Sequence, residues 1–242
     1  MLFVTFTTGN YADMTRNFIK NFENVLVPCE HSLILVCTDK SSYDYFKTFS
    51  SIWLTIEFRC VNNEGAVSTY NTPSFNKLMT YKPFIVLDIL DKTREMYWVD
   101  SDIVFFKNPE PFIREINKDI VFQQDNDRDH DRLCAGNFYV KNTPSSINFI
   151  KSWISRINEE PHIVDQDTLN KLVRTEYGDI SRATDFSGGV FPPKLFQRGI
   201  DAFKYGWSSN PDKVCIHANF MEGLETKKRA LASIGAWNIP HL

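Results

Sequence analysis

The stretch Ser32-Leu33-Ile34-Leu35-Val36-Cys37-Thr38-Asp39 most narrows what this chain can become. A run that is apolar at nearly every position has to be covered on both faces, as are the strands of a parallel sheet packed between helices. Its polar end at Asp39 marks a strand tip. Leu2-Phe3-Val4-Thr5-Phe6-Thr7-Thr8 is another β-rich run, closed by Gly9-Asn10, and Tyr11 to Val25 carries helical spacing through Met14, Phe18, Phe22 and Val25. A helix over Ser41 to Phe49 and a third strand over Leu54 to Val61 continue the pattern. Strands alternating with helices predict an α/β fold.

Thr72-Pro73-Ser74 opens a long helical pattern through Phe75, Leu78, Met79, Phe84, Ile85, Leu87, Ile89 and Leu90, which Pro83 should kink or split in two. It leads to Tyr97-Trp98-Val99-Asp100-Ser101-Asp102-Ile103-Val104-Phe105, an apolar, β-prone run holding two carboxylates two positions apart. On a strand, both would face the same way. Like charges among aromatic and β-branched neighbours are costly unless a cation neutralises them. Oxygen ligands favour Mn²⁺ or Mg²⁺ over zinc, and such ions are commonly completed by substrate phosphates. The pair therefore points to a diphosphate-bearing substrate. A plainer reading is a turn whose Asp side chains cap backbone amides. The position after several strand–helix units favours the carboxyl end of a strand, where open α/β sheets bind ligands.

Beyond Asn108-Pro109-Glu110-Pro111 the pattern gives a short helix from Phe112 to Ile116 and a strand over Ile120 to Gln124. A charged, exposed loop over Asn126 to Arg132 precedes a strand from Cys134 to Val140. Helices follow over Pro144 to Asn158 and Asp165 to Val173. The last third is less regular, with a closing strand over Lys213 to His217 and a final helix over Glu222 to Ile234. A chain of 242 residues without repeat or linker predicts one domain, 1–242. Composition, 43% hydrophobic and 24% charged, excludes disorder and a membrane-embedded protein, and a net charge of −3 excludes a basic nucleic-acid surface. Five cysteines without metal-binding spacing predict reduced, mostly buried thiols, with Cys37, Cys60 and Cys215 inside apolar runs. A first strand starting at Leu2 leaves no room for a signal peptide, and no apolar run approaches ~18 residues, so a cytoplasmic protein without a membrane-spanning segment is expected.

Phe75-Asn76-Lys77-Leu78-Met79-Thr80-Tyr81-Lys82-Pro83, followed by Leu87 to Leu90 and Tyr97 to Val104, resembles the nucleotide-diphospho-sugar transferases of glycosyltransferase family 77. The likeness extends to Asn108-Pro109, Ala135-Gly136-Asn137 and Asp165-Gln166-Asp167-Thr168-Leu169-Asn170, covering about the central hundred residues. It implies a Rossmann-like GT-A fold, with a central mixed, mostly parallel sheet flanked by helices. A nucleotide-binding half would lie over about 1–105 and an acceptor-side half over about 106–242. The implied activity is metal-dependent transfer of a sugar from a nucleoside diphosphate donor, a UDP-sugar, to a glycan or glycoconjugate hydroxyl, with retention of configuration.

The resemblance also implies roles. Asp102 is the direct metal ligand of the DxD motif, and Asp100 reaches the metal through water or holds the donor ribose, with Ser101 between them on the donor side. His217 is a third metal ligand, followed by Gly223 and Lys227 for the diphosphate, with Lys228 as an alternate. Lys82 suits a phosphate or sugar hydroxyl, although the residue alone reads as a solvated lysine. Gly136 and Asn137 approach the donor sugar, and Thr7, Thr8 and Tyr11 the uracil and ribose. Asp165 and Gln166, ahead of Asp167, would stabilise positive charge on the sugar ring. Read without the family, Asp165 is an N-cap. Two other functions remain open. A metal-dependent nucleotidyltransferase would carry a basic phosphate loop that Thr7-Thr8-Gly9-Asn10 lacks, and a non-catalytic glycan- or nucleotide-binding module would bind without turnover.

Overall fold

The computed structural model describes residues 1–59, 72–125, 132–181 and 186–239. Its elements run, in chain order, β1 (Leu2–Thr7), α1 (Ala12–Val25), β2 (Ser32–Cys37), α2 (Lys40–Phe46), β3 (Leu54–Phe58), α3 (Pro73–Met79), α4 (Lys82–Leu90), β4 (Glu95–Val99) and β5 (Ile103–Phe105). Then come α5 (Glu110–Ile116), β6 (Ile120–Gln124), β7 (Leu133–Lys141), α6 (Pro144–Glu159), α7 (Asp165–Leu172), β8 (Gly188–Val190), β9 (Phe196–Arg198), β10 (Cys215–His217) and α8 (Leu224–Ser233). Cys60, Val61 and the loop positions Asn126 to Asp131 lie outside the described residues. The chain divides into two compact units built from separated stretches: 1–67, 99–110 and 192–242, and 68–98 and 111–191.

In the first unit β3, β2 and β1 lie side by side in parallel, with Leu2 opposite Ser32 and Thr7 opposite Cys37. The two polar tips therefore end level. Leu33, Leu35, Val36 and Cys37 are buried, as their unbroken apolar run requires. Burial pushes the Cys37 thiol up to about 12. Asp39, just past β2, accepts from the Ser42 amide at 2.8 Å to cap α2 and from the Gly9 amide at 2.8 Å. It thereby ties two strand ends together.

Helix α1 buries Met14, Phe18 and Phe22 at four-residue spacing, which stacks them on one face. Two asparagines on this helix are buried as well, and both are satisfied. Asn21 accepts from the Phe105 amide at 2.7 Å and donates to its carbonyl at 2.9 Å, so it occupies a backbone edge of β5. Strands β5, β10 and β9 form a second, three-stranded sheet, antiparallel at β5–β10 and parallel at β10–β9. Met14, Val104, Ile216, Ala218 and Leu231 make a buried cluster that joins α1, β5, β10 and α8.

The second unit orders its strands β4-β7-β6-β8, antiparallel at β6–β7 and parallel at β6–β8. Helix α6, capped by the Thr143 hydroxyl, buries Phe149, Ile150, Trp153 and Ile157. The long helical pattern is split rather than kinked: α3 ends at Met79 and α4 restarts at Lys82 with Pro83 in its first turn, where a missing amide costs nothing. Arg114 donates to Glu95 at 2.7 Å, and the Tyr139 hydroxyl donates to the same carboxylate. Together they hold Glu95 down at about 2, from an ordinary value of 4.5. A lowered folded-state pKa gives stability that is complete above pH 4.5 and lost as the pH falls toward about 2. Glu95→Gln is therefore expected to flatten the acid decline of stability in that window, measured by urea unfolding at stepped pH. Parallel declines for variant and wild type would refute the linkage.

Among the described residues no helix is long and apolar enough to cross a membrane. One element departs from expectation at an important place. The run from Tyr97 to Phe105 is not a continuous strand: β4 stops at Val99, residues 100–102 form a tight turn closed by the Ile103 amide on the Asp100 carbonyl at 3.1 Å, and β5 begins afresh. Alternation on a strand therefore does not bring the two acids together. The turn does.

Candidate functional site

Strand pairing delivers a histidine to that turn. In the β5–β10 register Ile103 faces His217, and the Ala218 amide donates to the Asp102 carbonyl at 3.0 Å. One ligand atom from each of Asp100, Asp102 and His217 falls within 4.8 Å of the others. His217 Nε2 stands 3.2 Å from one Asp102 oxygen, and Lys227 Nζ donates to the other at 2.6 Å. Asp102 is only 6% exposed. Burial by itself would raise its pKa, but Lys227 and then His217 outweigh it and hold the carboxyl well below the usual range. Likewise burial opposes the Lys227 ammonium, while Asp102 keeps it above the ordinary lysine value.

Two carboxylates and an imidazole suit Mn²⁺, or Mg²⁺ with more water, far better than a thiolate-loving ion. Ligands about 2.1 Å from a common ion lie up to ~4.2 Å apart, so small side-chain rotations bring this trio to bonding distance. The residues fit a divalent cation. Lys227 would then be released from Asp102 toward an anion.

Gly223 adopts φ +81°, a left-handed backbone suited to glycine, as the residue before α8. Gly223, at the cap position, has no side chain to bond the first-turn amides of α8, the kind of helix start that suits an anion. The choice between neighbouring lysines is decided by helix geometry: Lys227 meets Asp102, while Lys228 pairs with Asp13 at 3.1 Å and Glu225 at 2.9 Å. Tyr11, at the start of α1, has its ring 6.0 Å from Lys227 Nζ, and burial pushes its phenol up. Thr8 is half-buried beside it. Thr7 is different. The residue is 1% exposed and its hydroxyl is bonded to Thr15 at 2.7 Å, which locks the strand tip.

The second unit holds the remaining sequence candidates. Lys82 is no solvated lysine: it is 2% exposed, 3.0 Å from the Asp165 carboxylate, donates to the Ala135 carbonyl at 3.0 Å, and lies 5.7 Å from the Trp98 ring centre. Nor does Asp165 cap α7. Val164 holds the cap position, and Asp165 spends its charge on Lys82 from the first turn. Gln166 accepts from the Ala135 amide at 3.1 Å and donates to Asp125 at 2.9 Å, clamping α7 to β7 next to Gly136. Asn137 is fully buried and accepts from the Tyr97 hydroxyl at 2.6 Å. The Gly136 amide faces Cys134 Sγ at 3.4 Å.

Two positioning residues were given no role in the sequence reading. Asn21 holds β5, and Asn170 brackets Leu133 through its amide at 2.6 Å and its carbonyl at 2.9 Å. The available signal was an asparagine on the apolar face of a helix, which folds only if its amide finds a buried partner.

Solved structures with the same fold include glycosyltransferases. The galactosyltransferase LgtC, in complex with donor and acceptor sugar analogs, superposes with a TM-score of 0.63 at 11% identity, over 99% of this chain and 98% of that one. Mouse xyloside xylosyltransferase 1 gives 0.55 at 10% identity, over 92% and 98%. These likenesses establish the GT-A fold. A curated relative, UDP-galactose:fucoside alpha-3-galactosyltransferase of Dictyostelium discoideum, is 26% identical over 95% of this chain, and the chain spans 42% of that relative's length. Residues 30–231 match the family of nucleotide-diphospho-sugar transferases, and the chain belongs to that family.

Proposed function

We propose that the chain, acting as one domain over 1–242, transfers a sugar from a UDP-linked donor to a hydroxyl of a glycan or glycoconjugate, using Mn²⁺ or Mg²⁺. The meeting of Asp100, Asp102 and His217, with Lys227 on the same carboxylate, carries this reading. When bound there, a divalent cation neutralises charge on the departing diphosphate. Lys227 and the first turn of α8 hold phosphate oxygens, and Gly223 lets the backbone come close. Tyr11 and Thr8 are assigned to the nucleoside, and Asp100 with Ser101 to the ribose side. Within the second unit, Lys82, paired with Asp165, and Gln166 hold the Ala135 backbone, and so fix Gly136 and Asn137, which the family resemblance gives to the transferred sugar.

Retention of configuration follows the family resemblance. With front-face attack the leaving phosphate takes the acceptor proton, so no dedicated base is required. UDP-galactose and a fucoside are the first substrates to try, because the Dictyostelium relative's name specifies them.

The test is UDP release from a panel of nucleotide sugars. Excess chelator is expected to abolish it and added Mn²⁺ to restore it. Full turnover in chelator would remove the metal from the reaction, and pyrophosphate in place of UDP would mean nucleotidyl transfer.

A further inference from the structure

We infer that Phe220 is a stacking platform for the acceptor sugar, an assignment that rests on the transferase reading above. Phe220 is 57% exposed and has φ +56°, a conformation in which the side chain of an L-residue crowds its own backbone. Glycine or asparagine would sit there with less strain. A bulky aromatic in that conformation, open to solvent, is held against its preference, and such strain concentrates where a side chain has to be presented.

Its supports are buried and half-buried residues of the first unit. Two positions earlier, the Ala218 amide is bound to the Asp102 carbonyl, so the segment leaves directly from the acidic turn. Asn219 accepts from the Gly199 amide at 2.8 Å. A Cβ at 199 would stand 2.1 Å from the Asn219 carbonyl oxygen, so only glycine allows this approach. Arg198, 5% exposed, lies 5.9 Å from the Phe220 ring centre and is itself fixed by two hydrogen bonds to the fully buried Asp201, each 2.7 Å. A guanidinium locked in this way orients the ring. What remains exposed is an aromatic surface three residues from a metal-ligand candidate. The C–H face of a pyranose is the natural complement to such a surface, and a 6-deoxy sugar, with a methyl in place of a hydroxyl, suits it best.

The experiment is calorimetric titration of methyl fucoside, methyl galactoside and methyl glucoside into the protein loaded with Mn²⁺ and UDP, using wild type, Phe220→Gly and Phe220→Trp. Phe220→Gly is expected to weaken the tightest glycoside about tenfold without lowering the melting temperature, and Phe220→Trp to restore most of that affinity. Equal affinity in wild type and Phe220→Gly, a loss that Trp does not restore, or no binding of any glycoside to wild type would overturn the assignment. Failure of the transferase reading shows separately, as absence of UDP release from every nucleotide sugar.

Discussion

Asp102→Asn is expected to cut Mn²⁺-dependent UDP release about 10²- to 10³-fold, the loss typical when a group that stabilises developing charge is removed. Asparagine keeps the shape of the side chain and can still accept a hydrogen bond from Lys227 or His217, which both contact the Asp102 carboxylate. It loses the charge that a cation needs and leaves the Lys227 ammonium without its counterion. The fold should survive, because the turn is closed by backbone bonds at Asp100 and Ala218 rather than by this carboxylate. Saturating Mn²⁺ kinetics with a circular-dichroism melt on the same sample separate the two effects. Turnover within tenfold of wild type would mean that Asp102 is not the anchor of the site.

The second large effect concerns stability. Lys82→Met should lower the melting temperature by about 10 °C, because it strands a carboxylate in the interior, and breaking one side of a buried pair costs about 3–5 kcal/mol. Asp165 is 2% exposed and Lys82 equally so, which leaves solvent no way to replace the lost partner. Adding Asp165→Asn to Lys82→Met removes the stranded charge and should recover most of the loss. That rescue distinguishes an ion pair from simple packing of the lysine chain against Trp98. A single variant melting within about 2 °C of wild type would show that the pair contributes little.

Much of the architecture was legible because it depends on local pattern. The unbroken apolar run at Leu33 to Cys37 could only be a covered strand, and Pro83 marked where the long helical pattern kinks or splits. Asp100 and Asp102 were named as metal candidates from the chain and His217 from the family resemblance, and the three are found together. Errors arose where long-range partners override local preference. The apolar residues around the acidic pair favour extended backbone, yet β5 is drawn away by Asn21 and by pairing with β10, so the chain turns between the two aspartates. The plainer reading of Asp165, as a cap, gives way for the same reason, because its carboxylate serves an interior lysine from a different helix.

The sequence by itself determined which chemistry was available: alternating strands and helices, two neighbouring acids, a late histidine and a basic helix. Tertiary structure alone decided which of these groups act together. It chose Lys227 over Lys228, since adjacent helical residues point about 100° apart and only one can face Asp102. It also made Lys82 a buried partner rather than a surface charge. Composition carries no record of that distinction, because a charge's cost and its usefulness are set by the dielectric and the counter-charges around it, and those are assembled from residues far apart in the chain.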